Sequence, residues 1–163
     1  MPLLLHTVRQ ARWLKEPAAE WLRSGDVPAD AVSDLRTTDN KLSVWEVAED
    51  RSNLERIVRA IAVGRHEIAS TGYIIFDSAL LTEVGIDSMR EKGATQDATA
   101  NEWHRDLVQL SGNKLVALTR GVLERGESGV VLKKRLLELV AAGVEAKELP
   151  EKCRAMLPAA ANG

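Results

Sequence analysis

The chain begins with a short apolar run, Leu3 to Val8, that reads as a strand. Between Arg9 and Arg23, Trp13, Leu14, Ala18, Trp21 and Leu22 recur at three- and four-residue spacings, the period of a helix with one apolar face. Pro17 interrupts that run, and a proline costs a helix interior about 3 kcal/mol. The pattern therefore predicts a kink or two short helices, stopped at Gly25. Asp26 to Asp34, with Pro28, reads as a short helix or a connector. Leu35 to Val47 places apolar and β-branched residues on both sides of Asp39-Asn40, a pair that tolerates positive φ. A hairpin turning there puts Trp45 and Val47 on one face and Leu42, Val44 and Glu46 on the other.

Further along, Ser52-x-x-Glu55 has the form of a capping box, in which two side chains satisfy free amides at a helix start. Leu54, Ile57, Val58, Ile61 and Ile68 then share one stripe, predicting a helix from Asn53 to Ala69 that Thr71-Gly72 ends. Tyr73 to Phe76 reads as an interior strand, and Asp77 caps a short helix through Ala79 to Val84 that Gly85 closes. Residues 86–95 read as a surface loop. Thr99-x-x-Glu102 resembles a second capping box, opening a helix that carries Trp103, Leu107 and Leu110. Its stripe shifts beyond Gly112 to Leu115, Leu118 and Val122, which implies a bend there. Residues 126–129 read as a loop, Leu132 to Gly143 as an amphipathic helix, and Lys147 to Met156 as a last short helix. No repeat or linker divides the chain, so one domain over 1–157 with a tail over 158–163 is expected. The fold class this predicts is α+β and predominantly helical: about five to seven helices on a small, mainly antiparallel sheet, with the hairpin near 35–47.

Composition narrows the function classes. Of 163 residues 45% are apolar and 28% charged, a folding composition rather than a disordered one. Basic and acidic residues number 22 and 24, so the chain lacks the positive field that duplex binding draws on. Cys153, the one cysteine, forms no intramolecular disulfide. The start of the chain lacks a basic region followed by a long apolar run, and no stretch reaches the roughly 18 apolar residues of a membrane span. The expected location is cytoplasmic, away from membranes.

Chemistry-bearing patterns are sparse. Neither a P-loop nor a dinucleotide-binding glycine motif occurs. His6, His66, His104 and Cys153 stand at no metal-ligand spacing, so no metal or cofactor is expected. Arg65 falls at the centre of the predicted 53–69 stripe, where a charge must snorkel or pair with a buried acid such as Asp77. Asn101 to Asp106 is the densest polar cluster. On a helix, Trp103 points inward with Leu107, and His104 and Asp106 flank that face on opposite sides, out of mutual reach. Among the four tryptophans, Trp45 is the expected exposed anchor, on a hairpin strand only partly covered and ringed by Arg36, Thr38 and Ser43. Lys133-Lys134-Arg135 reads as a solvated helix face.

These features favour a small protein-interaction module: a subunit, inhibitor or neutralising partner of a toxin or enzyme complex, meeting another protein (self or hetero) through Arg36, Trp45, Arg65, Trp103, His104 and Arg105. One alternative is a hydrolase pairing His104 or His66 with Asp77 or Asp106. Another is a single-stranded nucleic-acid binder that stacks bases on Trp45.

Overall fold

A computed structural model describes residues 1–9 and 23–158. Six strands form one sheet: β1 (Leu3–Val8), β2 (Leu42–Val47), β3 (Thr71–Asp77), β4 (Asp87–Arg90), β5 (His104–Val108) and β6 (Glu127–Val131). Their order is β4-β5-β2-β1-β3-β6, and every neighbouring pair is antiparallel. The described helices are α1 (Ala29–Asp34), α2 (Leu54–Ala62), α3 (Ala79–Val84), α4 (Ala98–Asn101), α5 (Gly112–Arg125), α6 (Lys133–Glu145) and a 3-10 helix over Glu151–Met156.

Alternation along the strands creates two cores. Leu4, Val8, Leu42, Val44, Ile74, Phe76 and Leu107 face one way, under α1, α3 and α5. Leu5, Trp45, Val47, Ile75 and Val131 face the other, under α2, α6 and the 3-10 helix. With both faces of its centre covered, the sheet is the organising element. The expectation of a predominantly helical domain is thereby corrected, since 41% of the described residues are helical and 24% lie in strands.

The correction has identifiable sources. Residues 86–95 and 126–129, expected as loops, contain β4 and part of β6. Edge strands are short and polar, and they lack the apolar alternation that marks an interior strand. The segment from Thr99 onward, expected as one bent helix, divides into α4, β5 and α5. Leu107 and Leu110 stand three apart, as on a helix, but Leu107 lies in a strand paired with Leu42 and Leu110 donates its amide to Asn40 beyond the strand's end. Asp97, rather than Thr99, caps α4, its carboxylate accepting from the Thr99 and Ala100 amides. Likewise Ser52 does not cap α2, whose N-cap is Asn53. The Asn53 amide group instead ties Ala48 N–H and Glu46 C=O at the end of β2. The helix stops at Ala62, not Ala69, and Ile68 reaches the core from the connection beyond it.

Other local expectations hold wholly or in part. The chain reverses at Asp39-Asn40 with φ of 52° and 58°, closed by paired Thr38–Lys41 backbone bonds of 3.0 and 2.9 Å. The reversal ends at that single bridge, because β2 takes β1 and β5 as partners rather than residues 35–37. Gly85, at φ 67°, closes α3 in the left-handed region, while at its start the N-cap is Ser78 rather than Asp77, whose Oδ1 accepts the Ala79 amide from one position further back. The predicted helix over Arg9 to Arg23, with Trp13, Pro17 and Trp21, falls almost wholly outside the described residues, as do the last five positions of the tail. No helix among the described residues is long and apolar enough to cross a membrane.

Candidate interaction site

The β2–β5–β4 side of the sheet gathers most of the residues that the sequence marked. Because residues 104–108 form a strand rather than a helix, His104 and Asp106 project from the same face. The earlier placement on opposite sides is corrected: His104 Nε2 lies 3.6 Å from Asp106 Oδ1. His104 Nδ1–H donates to the Glu91 carbonyl at 2.8 Å, and its ring meets Trp45 edge-on with centroids 4.9 Å apart. Ser43 Oγ donates to the same Asp106 oxygen at 3.3 Å, and Lys41 Nζ lies 3.5 Å from the other oxygen and 3.2 Å from Glu91.

That order of contacts decides what the cluster can do. A serine nucleophile needs its hydroxyl on the imidazole, with the carboxylate behind the ring. Here the hydroxyl sits on the carboxylate, and the imidazole is behind it. Ser43 donates to one nearly buried acid, Lys41 pairs with its other oxygen and the His104 ring lies beside it, an arrangement that satisfies the acid and ties the Lys41 turn to β5.

The opposite face at the same level is different. Arg105 Nε and Nη2 both approach Glu46 Oε1 at 2.5 Å. This pair forms part of the wall of a cleft of about 450 Å³, completed by Leu4, Ser78, Thr82, Ile86 and Ser88. Around the end of β2, a second hollow of about 510 Å³ is lined by Glu46, Val47, Glu49, Asn53 and the half-buried Trp103. The two hollows share Met1, Pro2 and Glu46.

Outside β5 lies β4, the end of the sheet. All four of its residues are exposed, and Met89 retains 56% of its surface. Arg90 stands directly opposite Arg105 in the β4–β5 register, so the two guanidinium groups share a face. Among the described residues, Arg105 has a carboxylate partner and Arg90 has none.

The remaining marked residues lie elsewhere. Trp45 is 9% exposed and packs in the α2/α6 core: β2 is third in a six-strand sheet, not an outer strand, which corrects its expected role as a surface anchor. Arg36 is exposed just past α1, and the hairpin arm that would have brought it beside Trp45 does not form. Arg65 follows α2 and donates to Thr71 Oγ1 at 2.9 Å, at the opposite end of β3 from Asp77. Burial, aided by the like charge of Arg9, pushes Arg65 below the usual arginine range. His66 is exposed.

The buried arginine of α2 is Arg59, which sequence reasoning passed over. Its Nη2 donates to Asp97 Oδ2 at 2.6 Å and to Glu148 Oε2 at 2.8 Å. Arg56 adds bonds of 2.8 and 3.0 Å to Asp97, and its Nη1 lies 3.0 Å from Glu148 Oε1. Asp97 is fully buried. Burial works against its charge, but the hydrogen bonds from Arg56, the Ala100 amide and Arg59 outweigh that and hold its carboxyl below the usual range.

Among the described residues no group of three or more His, Cys, Asp or Glu side chains is placed to hold a metal ion. No protein-family model matches the sequence, and neither a curated protein nor a solved structure matches it.

Proposed function

We propose that this protein is an interaction module, a subunit or neutralising partner that engages another protein through the β4 edge and the polar cleft beside it. One observation carries this reading: an outer strand with all four residues exposed, flanked by a cleft that has the Glu46–Arg105 pair in its wall. An open strand edge offers unpaired backbone donors and acceptors to an incoming strand, a recurrent basis of protein recognition. The hydrolase alternative loses support from the Ser43–Asp106–His104 order. The base-stacking alternative loses support from the burial of Trp45.

The test is affinity capture from source cells with the wild type and with Ser88→Pro and Met89→Pro. In an antiparallel ladder alternate amides face the neighbour and those between face outward. One of the two prolines therefore removes an outward donor while leaving the β5 ladder intact. The expected result is a stoichiometric partner with the wild type and its loss in the proline variant that keeps its fold. A wild type recovered alone, or a partner kept equally by both folded proteins, overturns the reading.

A further inference from the structure

The β4 edge carries a charge imbalance that specifies what should lie against it. Cross-strand neighbours on one face are about 5 Å apart at Cβ, and like charges placed there repel. Arg90 and Arg105 occupy such positions. In register the row across the sheet runs Val44, Arg105, Arg90, and Glu46, two positions along β2 from Val44, reaches Arg105 diagonally at 2.5 Å; among the described residues no strand lies beyond Arg90. A strand added outside β4 would place its own side chain next to Arg90 on that same face. A carboxylate there would give Arg90 the opposite charge that Arg105 already has in Glu46.

The other face of β4 reads differently. Met89, adjacent in sequence and more than half exposed, points away from Arg90, so the next residue of an added strand would meet an apolar side chain. Ser88, two positions from Arg90, sets only a small polar neighbour beside the carboxylate and leaves it room.

Resting on the interaction reading above, we propose that the occupant of this edge is an extended segment of a partner protein carrying an acidic residue opposite Arg90 and an apolar residue beside it, opposite Met89. Main-chain pairing supplies the contact, and the Arg90 guanidinium, which has no carboxylate partner among the described residues, selects the sequence.

A random heptapeptide display library, selected on the immobilised full-length protein, tests this with wild type, Arg90→Glu and the fold-preserving β4 proline variant. Arg90→Glu is a sound probe because it replaces a repulsive cross-strand pair with an attractive one at an exposed position. The wild type is expected to enrich peptides with Asp or Glu next to an apolar residue. Arg90→Glu should retain those peptides about tenfold less, the scale of one charge-assisted hydrogen bond, and should enrich Lys or Arg in the same place. The proline variant should retain neither set. Proline-sensitive peptides with no acidic preference, or a preference that Arg90→Glu does not reverse, overturn the inference while leaving the edge-binding reading intact. If no peptide is retained at all, the inference is also overturned, and capture from cells decides the broader reading separately.

Discussion

Replacing Asp97 with asparagine offers the sharpest test of how this fold is held. The carboxylate has no exposed surface and accepts five hydrogen bonds: two from Arg56, one from Arg59 and one each from the Thr99 and Ala100 amides. Asparagine keeps the shape but removes the charge and turns two acceptor sites into donors that face guanidinium groups. Arg59, only 5% exposed, would keep Glu148 as its sole anionic partner. Breaking a buried pair by removing one member costs about 3–5 kcal/mol, mainly because the other charge is left uncompensated. Arg56 and Glu148 are 25% and 34% exposed, so water softens part of that loss, and the lower end, about 3 kcal/mol, is expected. Against a total stability of about 5–15 kcal/mol for a domain this size, the effect is large.

Urea unfolding followed by far-ultraviolet circular dichroism reads it directly, and a double-mutant cycle isolates the cause. Arg59→Met alone should cost less, because Asp97 keeps Arg56 and two amides. If the stranded Arg59 charge is what hurts, the double variant should be at least about 1 kcal/mol more stable than the sum of the singles. The pH dependence adds an independent check. A folded pKa below the ordinary 3.8 means that Asp97's contribution is complete above that value and is lost as pH falls through the folded value. The wild type should therefore lose stability on acidification below about pH 4, and Asp97→Asn should lack that share of the slope. A single-variant loss under 1 kcal/mol, or strict additivity in the cycle, would refute the reasoning.

Three further substitutions or conditions have definite expected outcomes. His6 is buried with its ring nitrogens 2.9 and 3.4 Å from the Ser43 and Asp34 carbonyls; desolvation dominates and lowers its pKa, against those carbonyls and the Asp34 charge. Unfolding therefore takes up a proton below about pH 6.5, stability should fall there by up to about 1.4 kcal/mol per pH unit, and unchanged midpoints at pH 7.5 and 5.5 would contradict this. Gly143→Ala would set a methyl 2.5 Å from Arg59 Nη1 and 2.9 Å from its Cζ, so thermal unfolding should show a loss of about 1–3 kcal/mol. Arg90→Glu should raise stability by about 0.2–1 kcal/mol by relieving the pairing with Arg105, and a loss in chemical denaturation would count against the register.

The sequence is most legible where local chemistry and tertiary structure agree. β1, β3, α3 and the Asp39-Asn40 turn carry their own signals in apolar runs, an aspartate just before the helix, a closing glycine and residues suited to positive φ. The two faces of β2 follow from alternation alone. β5 is misread because its leucines mimic a helical spacing, and what makes it a strand is distant: Leu42 to Trp45 offering a free edge. That one error inverts the site, since a strand joins His104 to Asp106 and sends Arg105 to the other face. The buried arginine illustrates a similar point. An α2 extended through Ile68 centres its stripe on Arg65, whereas a helix ending at Ala62 buries Arg59 beside Val58 and Ala62. Asp97 had a signal, a capping residue two positions before Thr99, which the competing Thr99-x-x-Glu102 pattern masked. Arg90 had none, because an edge strand of four exposed residues leaves no periodicity to read.

The two polar clusters acquire a common purpose when the chain after β4 is followed. Glu91 takes the His104 ring N–H on its carbonyl and Lys41 on its carboxylate. Gly93 donates to the Asn101 carbonyl, and Thr95 donates both amide and hydroxyl to Asn101 Oδ1. Two residues later, Asp97 is clamped by α2's arginines. The segment leaving the edge strand is therefore tied at four successive points to β5, α4 and α2, elements anchored in the core. Association costs free energy for every side chain and loop that must be ordered on contact. If β4 is the interaction edge proposed above, the fixed exit spares the ordering of that backbone on contact. On that proposal His104 holds the Glu91 carbonyl directly, and Asp106 acts on Glu91 only through Lys41, which lies 3.2 Å from Glu91 and 3.5 Å from Asp106. Ser43→Ala should then leave the protein folded and its β4-dependent binding unchanged, whereas His104→Ala, which frees the Glu91 carbonyl, should weaken that binding without touching any residue of the edge.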